Sequence, residues 1–202
     1  MASRLVVSTF VSLDGVMQAP GGPGEDDSNG FPHSGWLAPH VDEGFGEIMG
    51  EQFERADGML LGRRSYDILA AHWPGVPDEE GGAEINGMAK YVTTRTPMNA
   101  EWRNTRVLVG EAAETVAELK RSTDGEILVQ GSSGLIRTLQ DAELVDEYRL
   151  LIFPVVLGQG KRLFAEGTTP AGLKATGSTM TGAGVVYVTY EWAGKPSYGS
   201  VA

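Results

Sequence analysis

The segment that most constrains the fold runs Glu126-Ile127-Leu128-Val129-Gln130-Gly131-Ser132-Ser133-Gly134-Leu135-Ile136-Arg137-Thr138-Leu139. It opens as a short apolar run with β-branched members, the pattern of a buried strand. The run breaks at Gly131, passes two hydroxyl residues and reaches Gly134, after which Leu135, Ile136 and Leu139 recur at helical spacing. A strand that turns through glycine into a helix aims a helix N-terminus out of the end of a sheet. The unpaired N–H groups and dipole of that terminus favour a phosphate or pyrophosphate. Gly131 can take positive φ, Gly134 permits close approach of a ligand or backbone, and Ser132 or Ser133 can cap the helix or donate to an oxyanion. The same residues also suit a plain strand-to-helix turn with a serine cap and no ligand.

A second turn of this kind follows the short strand Gly58-Met59-Leu60-Leu61. There Gly62-Arg63-Arg64-Ser65-Tyr66 leads into a helical Asp67–Ala71 segment that ends before Trp73-Pro74. Arginine offers forked donors for phosphate, and the helix terminus adds backbone donors; a solvated basic turn is the plainer alternative. The net charge of −11 makes this arginine pair more informative. It also argues against nucleic acid and anionic membrane as partners. Lys90-Tyr91-Val92-Thr93-Thr94-Arg95-Thr96-Pro97 reads as a strand ending in hydroxyls and an arginine, a set that suits a phosphate monoester or simply ends a strand.

The first strand, Leu5 to Val11, is apolar on both faces, which predicts a central position. It runs into Ser12-Leu13-Asp14-Gly15-Val16-Met17. Asp14 is either a turn residue or a carboxylate at the end of a strand, where open α/β sheets place their ligands. Gln18 to Ser34, rich in Gly and Pro with Glu25, Asp26 and Asp27, is too long for an ordinary connection. It reads as either a mobile lid or a partly disordered loop. Val41, Phe45, Ile48, Met49, Phe53 and Ala56 recur at helical spacing, with Asp42 and Glu43 in the first turn where the dipole favours acids. Pro77 to Gly87 reads as a polar loop, Arg106 to Gly110 as a strand and Glu114 to Lys120 as a helix. Leu144 to Val156 is a long strand region closing at Leu157-Gly158-Gln159-Gly160-Lys161. Leu173–Thr179 and Val185–Trp192 read as a hairpin. The order predicts an α/β fold with a mixed, mostly parallel central sheet and a C-terminal antiparallel hairpin. One domain over 1–192 and a loose tail over 193–202 are expected.

A chain of 202 residues with 41% hydrophobic and 21% charged residues is that of one folded domain. No apolar run reaches the ~18 residues of a membrane span, and Met1 to Leu5 lead straight into a strand without a signal peptide. The absence of cysteine excludes disulfides, thiolate catalysis and Cys-type zinc sites, and fits a cytoplasmic protein. No metal site is expected.

The ordered set Ser12-Leu13-Asp14-Gly15, Gly62-Arg63-Arg64-Ser65-Tyr66 and Gln130-Gly131-Ser132-Ser133-Gly134 resembles the dihydrofolate reductase fold. Leu144-Val145-Asp146-Glu147-Tyr148-Arg149-Leu150, followed by Pro154-Val155-Val156-Leu157-Gly158-Gln159-Gly160, is similar to a stretch of one branch: the riboflavin-biosynthesis reductase domain, the C-terminal half of the bifunctional deaminase–reductase. The resemblance spans about Arg4 to Trp192. It implies a three-layer, free-standing reductase domain that binds NADPH across the sheet edge. On it, Gly62, Arg63, Arg64 and Ser65 hold adenosine-side phosphates, and Thr94 and Arg95 flank the 2′-phosphate. Gly131, Ser132, Ser133, Gly134 and Leu135 cradle the pyrophosphate, and Val11 and Val16 border the nicotinamide. Dihydrofolate reductases carry a pterin-binding carboxylate in the first helix; here Trp36-Leu37 and Asp42 lie near the equivalent point without matching its spacing. The deaminase half has no counterpart.

The sequence therefore predicts an NADPH-dependent reductase of a small heterocyclic substrate, like either 5-amino-6-(5-phosphoribosylamino)uracil reductase or a pterin/dihydrofolate reductase. Asp14 is the candidate to bind substrate or relay a proton, with Asp42 in reserve and Met17 and Trp36 as pocket walls. The alternative is a non-catalytic dinucleotide- or flavin-binding protein of the same fold. The long apolar strand at Tyr148–Val156 near the hairpin, and the habit of the resembling branch, predict a homodimer.

Overall fold

The computed structural model describes residues 2–201; Met1 of the expected domain and Ala202 of the expected tail lie outside the described residues. The elements run β1 (Arg4–Ser12), α1 (Glu43–Arg55), β2 (Gly58–Gly62), α2 (Arg63–His72), α3 (Gly82–Gly87), β3 (Ala89–Thr94), β4 (Thr105–Val109), α4 (Ala112–Ser122), β5 (Glu126–Gly131), α5 (Ser133–Asp141), β6 (Glu147–Phe153), β7 (Leu173–Met180) and β8 (Val186–Trp192). One sheet takes the order β4-β3-β2-β5-β1-β6-β8-β7. From β4 to β6 neighbouring strands are parallel; β8 is antiparallel to β6, and β7 to β8. This is the mixed α/β sheet with a C-terminal hairpin that the strand pattern predicts.

Alternation along the strands divides the core into two faces. Leu5, Val7, Leu60, Ile127, Val129, Tyr148 and Leu150 pack with Val116 and Leu119 of α4 and Leu135, Ile136 and Leu139 of α5. Their neighbours on the other face, Phe10, Leu151 and Phe153, meet Phe45, Ile48 and Met49 of α1, while Met59 and Leu61 meet Tyr66 and Leu69 of α2. Phe153 lies edge-on to Trp36 with centroids 5.3 Å apart, which ties the chain before α1 to the centre of the sheet. Among the described residues no helix is long and apolar enough to cross a membrane.

Two expectations need correction. α2 begins at Arg63, so both arginines lie within its first turn and not ahead of it. The stretch read as a polar loop, Pro77 to Gly87, contains α3. It buries Ile85 and Asn86, and at Gly82 it packs by backbone, where a Cβ would sit 2.2 Å from the Val76 carbonyl oxygen. The fully buried Lys90 completes it, donating to the carbonyls of Ile85, Asn86 and Met88 with its ammonium 4.5 Å from the Trp102 ring centroid. Burial pushes the Lys90 amine down to about 8. At the C-terminus Gly172 donates to Gly194 and accepts from Ala193, so the chain is tied to the domain for a few residues past β8.

Near the N-terminal ends of the central strands lies an internal ion cluster. Arg149, fully buried, donates from Nη1 and Nη2 to the two oxygens of Glu126 at 2.6 and 2.7 Å, and from Nε to Glu147 at 2.6 Å. Arg4 and Arg55 reach the outer sides of the same carboxylates. Burial opposes the Arg149 charge, but the hydrogen bonds and charges of Glu126 and Glu147 outweigh it and hold the guanidinium firmly protonated. Removing one partner strands the others without solvent. Arg149→Met should therefore cost roughly 3–5 kcal/mol of unfolding free energy, measured by urea denaturation. A loss below ~1 kcal/mol, the size of an exposed pair, would show that Arg4 and Arg55 suffice.

Candidate functional site

β2 and β5 are neighbours, but their helices depart to opposite sides. α2 leads to β3 on one flank, and α5 leads past β1 to β6 on the other. Such a divergence opens a crevice at the carboxyl ends of the strands. Here the two turns interlock. A Cβ on Gly62 would lie 2.7 Å from the Ser132 hydroxyl, and one on Gly131 would lie 2.7 Å from the Ser65 hydroxyl. A side chain on either turn would have to displace the serine hydroxyl of the other, so glycine favours their close approach. Gly131 does not take the positive φ expected of it, and Gly134 has open space around it. The β2–β5 register shifts after Leu60, leaving Gln130 as the extra residue, and the Gly131–Ser132 peptide is cis. Ser132 caps α5 through the Leu135 amide, whereas no side chain caps α2.

The crevice continues as a cleft. Its walls come from the end of β1 (Thr9, Phe10), the strap that follows (Met17 to Pro20, Glu25, Asp26), α2 (Arg64, Ser65, Ile68, Leu69), the β5–α5 turn (Gln130 to Ser133) and Lys161. The strap is pinned at several points. Gln18 Nε2 donates to the carbonyls of Asp26 and Ser28 at 2.9 and 3.0 Å, and its Oε1 accepts from the Lys161 amide at 3.0 Å. Trp36 Nε1 donates to the Gln18 carbonyl at 2.8 Å. Asp26 receives Arg64 Nη2 on Oδ1 at 2.6 Å and Lys161 Nζ on Oδ2 at 2.5 Å. Burial raises the Asp26 carboxyl, but Lys161 and the Ser28 hydroxyl and amide outweigh it and hold it low. Burial lifts Glu25 next to it, against the Gly21 and Gly22 amides that hydrogen-bond its Oε2.

Of the residues expected at a site, the fold brings Met17, Arg64, Ser65, Gly131, Ser132 and Ser133 to the cleft wall, with Gly62 directly behind. Others lie elsewhere. Arg63 is half-exposed and pairs with Asp67, Thr94 hydrogen-bonds to the Thr96 backbone, and Arg95 lies in solvent near Glu111. Gly134 is exposed, and Leu135, Val11 and Val16 are buried in the core. Trp36 is buried behind the strap.

Neither candidate carboxylate points into the cleft. Asp14 accepts from the Ser12 hydroxyl and Leu157 amide on Oδ1 and from the Gly158 amide on Oδ2, and it pairs with Arg162. It braces the loop after β6. Asp42 caps α1 through the Phe45 amide and holds the β7–β8 turn through the Ala183 amide. Sequence reasoning passed over Gln18, Glu25, Asp26 and Lys161 as cleft residues. The acidic triplet inside a Gly-rich strap and the lysine closing Gly158-Gln159-Gly160 were the available signals.

The brace makes a stability prediction. Burial raises the Asp14 carboxyl, yet its hydrogen bonds from Ser12, Leu157 and Gly158 prevail and bring it down to about 2. A folded pKa below the unfolded one gives stability that is complete above the unfolded value of ~3.9 and is lost as pH falls through the folded value. Asp14→Asn should thus cost about 1–3 kcal/mol at neutral pH. Its deficit against wild type should shrink between about pH 4 and pH 2. Thermal melts across that range test it, and an unchanged Tm would return Asp14 to the cleft candidates.

The RibD C-terminal domain family model matches residues 3–187. The chain is 31% identical over 196 residues to the uncharacterised protein YyaP of Bacillus subtilis (strain 168), covering 95% of this chain and 96% of that one. Among solved structures, it is similar to a protein of Shewanella sp. PV-4 provisionally assigned to riboflavin biosynthesis (TM-score 0.67, 21% identity, 95% and 99% of the two chains covered). It is also similar to the dihydrofolate reductase of Enterococcus faecalis complexed with NADP(H) (TM-score 0.60, 15% identity, 96% and 99% covered). At those identities the structures speak for the fold. The family match, running nearly the length of the chain, is what identifies it: this protein belongs to the RibD C-terminal domain family.

Proposed function

We propose that the protein is an NADPH-dependent reductase of a small heterocyclic substrate, of the phosphoribosylaminouracil or pterin type. One observation carries the reading: two helix N-termini and two cations, Arg64 and Lys161, meet on one cleft at the switch point of the sheet. The donor set suits a pyrophosphate, with hydroxyls and first-turn amides at Ser65, Ser132 and Ser133 and a guanidinium at Arg64. Gly62 and Gly131 keep the two turns close enough to act together. On this reading a 2′-phosphate lies beyond the cleft wall, toward Arg63, Thr94 and Arg95 at the ends of β2 and β3. NADPH, when bound, supplies the hydride. The chain's own part is to orient the substrate against Thr9, Phe10 and Met17, to exclude water with the strap and to deliver a proton. Asp14 and Asp42 have their oxygens engaged away from the cleft, so the proton role passes to Glu25. That carboxyl lines the cleft, and burial favours its protonated form.

NADPH should bind more tightly than NADH, and Arg64→Ala should weaken both by roughly ten- to a hundredfold, the ~1.5–3 kcal/mol of a charge-assisted contact. Arg63→Ala should mainly erode the preference for NADPH. Calorimetry decides; equal affinity for the two nucleotides would reject the 2′-phosphate assignment.

We also propose a homodimer. The strand at Tyr148–Val156 expected to carry it is internal, paired by β1 and β8; the edge beyond β8 is β7, exposed along most of its length, with Met180 at its end 68% exposed and Val186 on β8 36% exposed. Sedimentation at micromolar concentration should give a dimer, and Met180→Asp should shift it toward monomer. A wild-type protein that sediments only as monomer would reject the assembly.

A further inference from the structure

We propose that Arg64 and Lys161 form a phosphate subsite that Asp26, from the chain's own strap, occupies until a phosphate-bearing ligand displaces it. The inference rests on the nucleotide-binding reading above and adds to it a site and a release step. Asp26 sits where a phosphate would. Its two oxygens are divided between two cations from different elements, Oδ1 on Arg64 at 2.6 Å and Oδ2 on Lys161 at 2.5 Å. Two non-bridging oxygens of a phosphate present the same pair of acceptors with more charge.

Exposure separates the carboxylate from the cations. The Asp26 side chain is 11% exposed, while Arg64 and Lys161 keep 54% and 30%. The cations therefore remain reachable and hydrated without Asp26, and a ligand arriving from solvent meets them first. Among residues lining the cleft these two are the only cations, and Glu25 and Asp26 the only acids. With Asp26 in place the cation pair is partly neutralised, and a phosphate that merely joined the cleft would face the Asp26 carboxylate. Displacement of Asp26 relieves this, and the strap can follow. Gly21, Gly22 and Gly24 precede Asp26, and Gly24 already has positive φ, so the segment turns at little steric cost. Gln18 would keep its bond to the Ser28 carbonyl and Trp36 its bond to Gln18, so the strap swings from a fixed root.

The phosphate can come from the dinucleotide or from a phosphorylated substrate, and two probes separate these sources. Wild type and Asp26→Asn are titrated calorimetrically with NADPH and with ribose 5-phosphate in phosphate-free buffer. Hydrogen exchange of the strap amides from 18 to 28 is followed in wild type with and without each probe. Asp26→Asn should bind the occupying probe about tenfold more tightly, equivalent to ~1.4 kcal/mol, and that probe should speed strap exchange in wild type. NADPH as that probe assigns the subsite to the cofactor. Ribose 5-phosphate binding with NADPH failing on both proteins keeps the subsite, gives it to substrate and rejects the cofactor reading. NADPH binding that is unchanged or weaker in Asp26→Asn, with strap exchange unaltered in wild type, overturns the displacement and leaves the cofactor reading intact. No binding of either probe to either protein overturns both.

Discussion

The close approach of two glycine turns is the constraint on which the site depends. Gly62 ends β2, Gly131 ends β5, and each leaves a gap filled by a serine hydroxyl of the other turn. A side chain at either position would have to displace that hydroxyl, and at Gly62 it would also crowd the Ser132 amide nitrogen at 3.2 Å. Because the turns stay together, the first turns of α2 and α5 open onto one cleft, and their unpaired amides act on the same volume. The functional surface thus arises from something the backbone omits, and it sits at the carboxyl ends of strands whose side chains are committed to the two cores.

The other end of the same strands is built on the opposite principle. There Arg149 gathers Glu126 and Glu147 from β5 and β6 into a desolvated cluster. Such a cluster adds little stability over an apolar core, but mispairing is costly, because a one-residue slip would bury an uncompensated charge. It fixes the register of β1, β5 and β6, while β2 is tied to the same end by Asp57, which accepts from the Glu126 amide and donates its own amide to the Glu126 carbonyl.

How much of this was legible follows from sequence separation. β1, β2, β5 and the hairpin declare themselves through local apolar patterning, and both glycine turns through strand-to-helix transitions, so the fold and the two turns were readable. Long-range partners were not. Asp14 looks like a free carboxylate until the Leu157 and Gly158 amides return to it from more than 140 positions away. Asp26 and Lys161 become a pair across 135 positions, with no local signal that one answers the other. α3 was hidden for another reason: Gly82 packs by backbone contact, which apolar periodicity cannot report.

The acidity of the chain gives the strap its physical sense. At a net charge of −11, an open cation pair at a sheet end would attract any small anion and many of the chain's own carboxylates. A neighbouring aspartate on a glycine-rich strap satisfies the pair at high effective concentration, and an anion must then outbid an intramolecular partner. A single carboxylate in solution gains little by that exchange. A pyrophosphate or phosphate monoester gains more, since it brings extra charge and also reaches the amides of α2 and α5. Selectivity for phosphate over other anions then follows from competition with Asp26 as much as from attraction to Arg64 and Lys161.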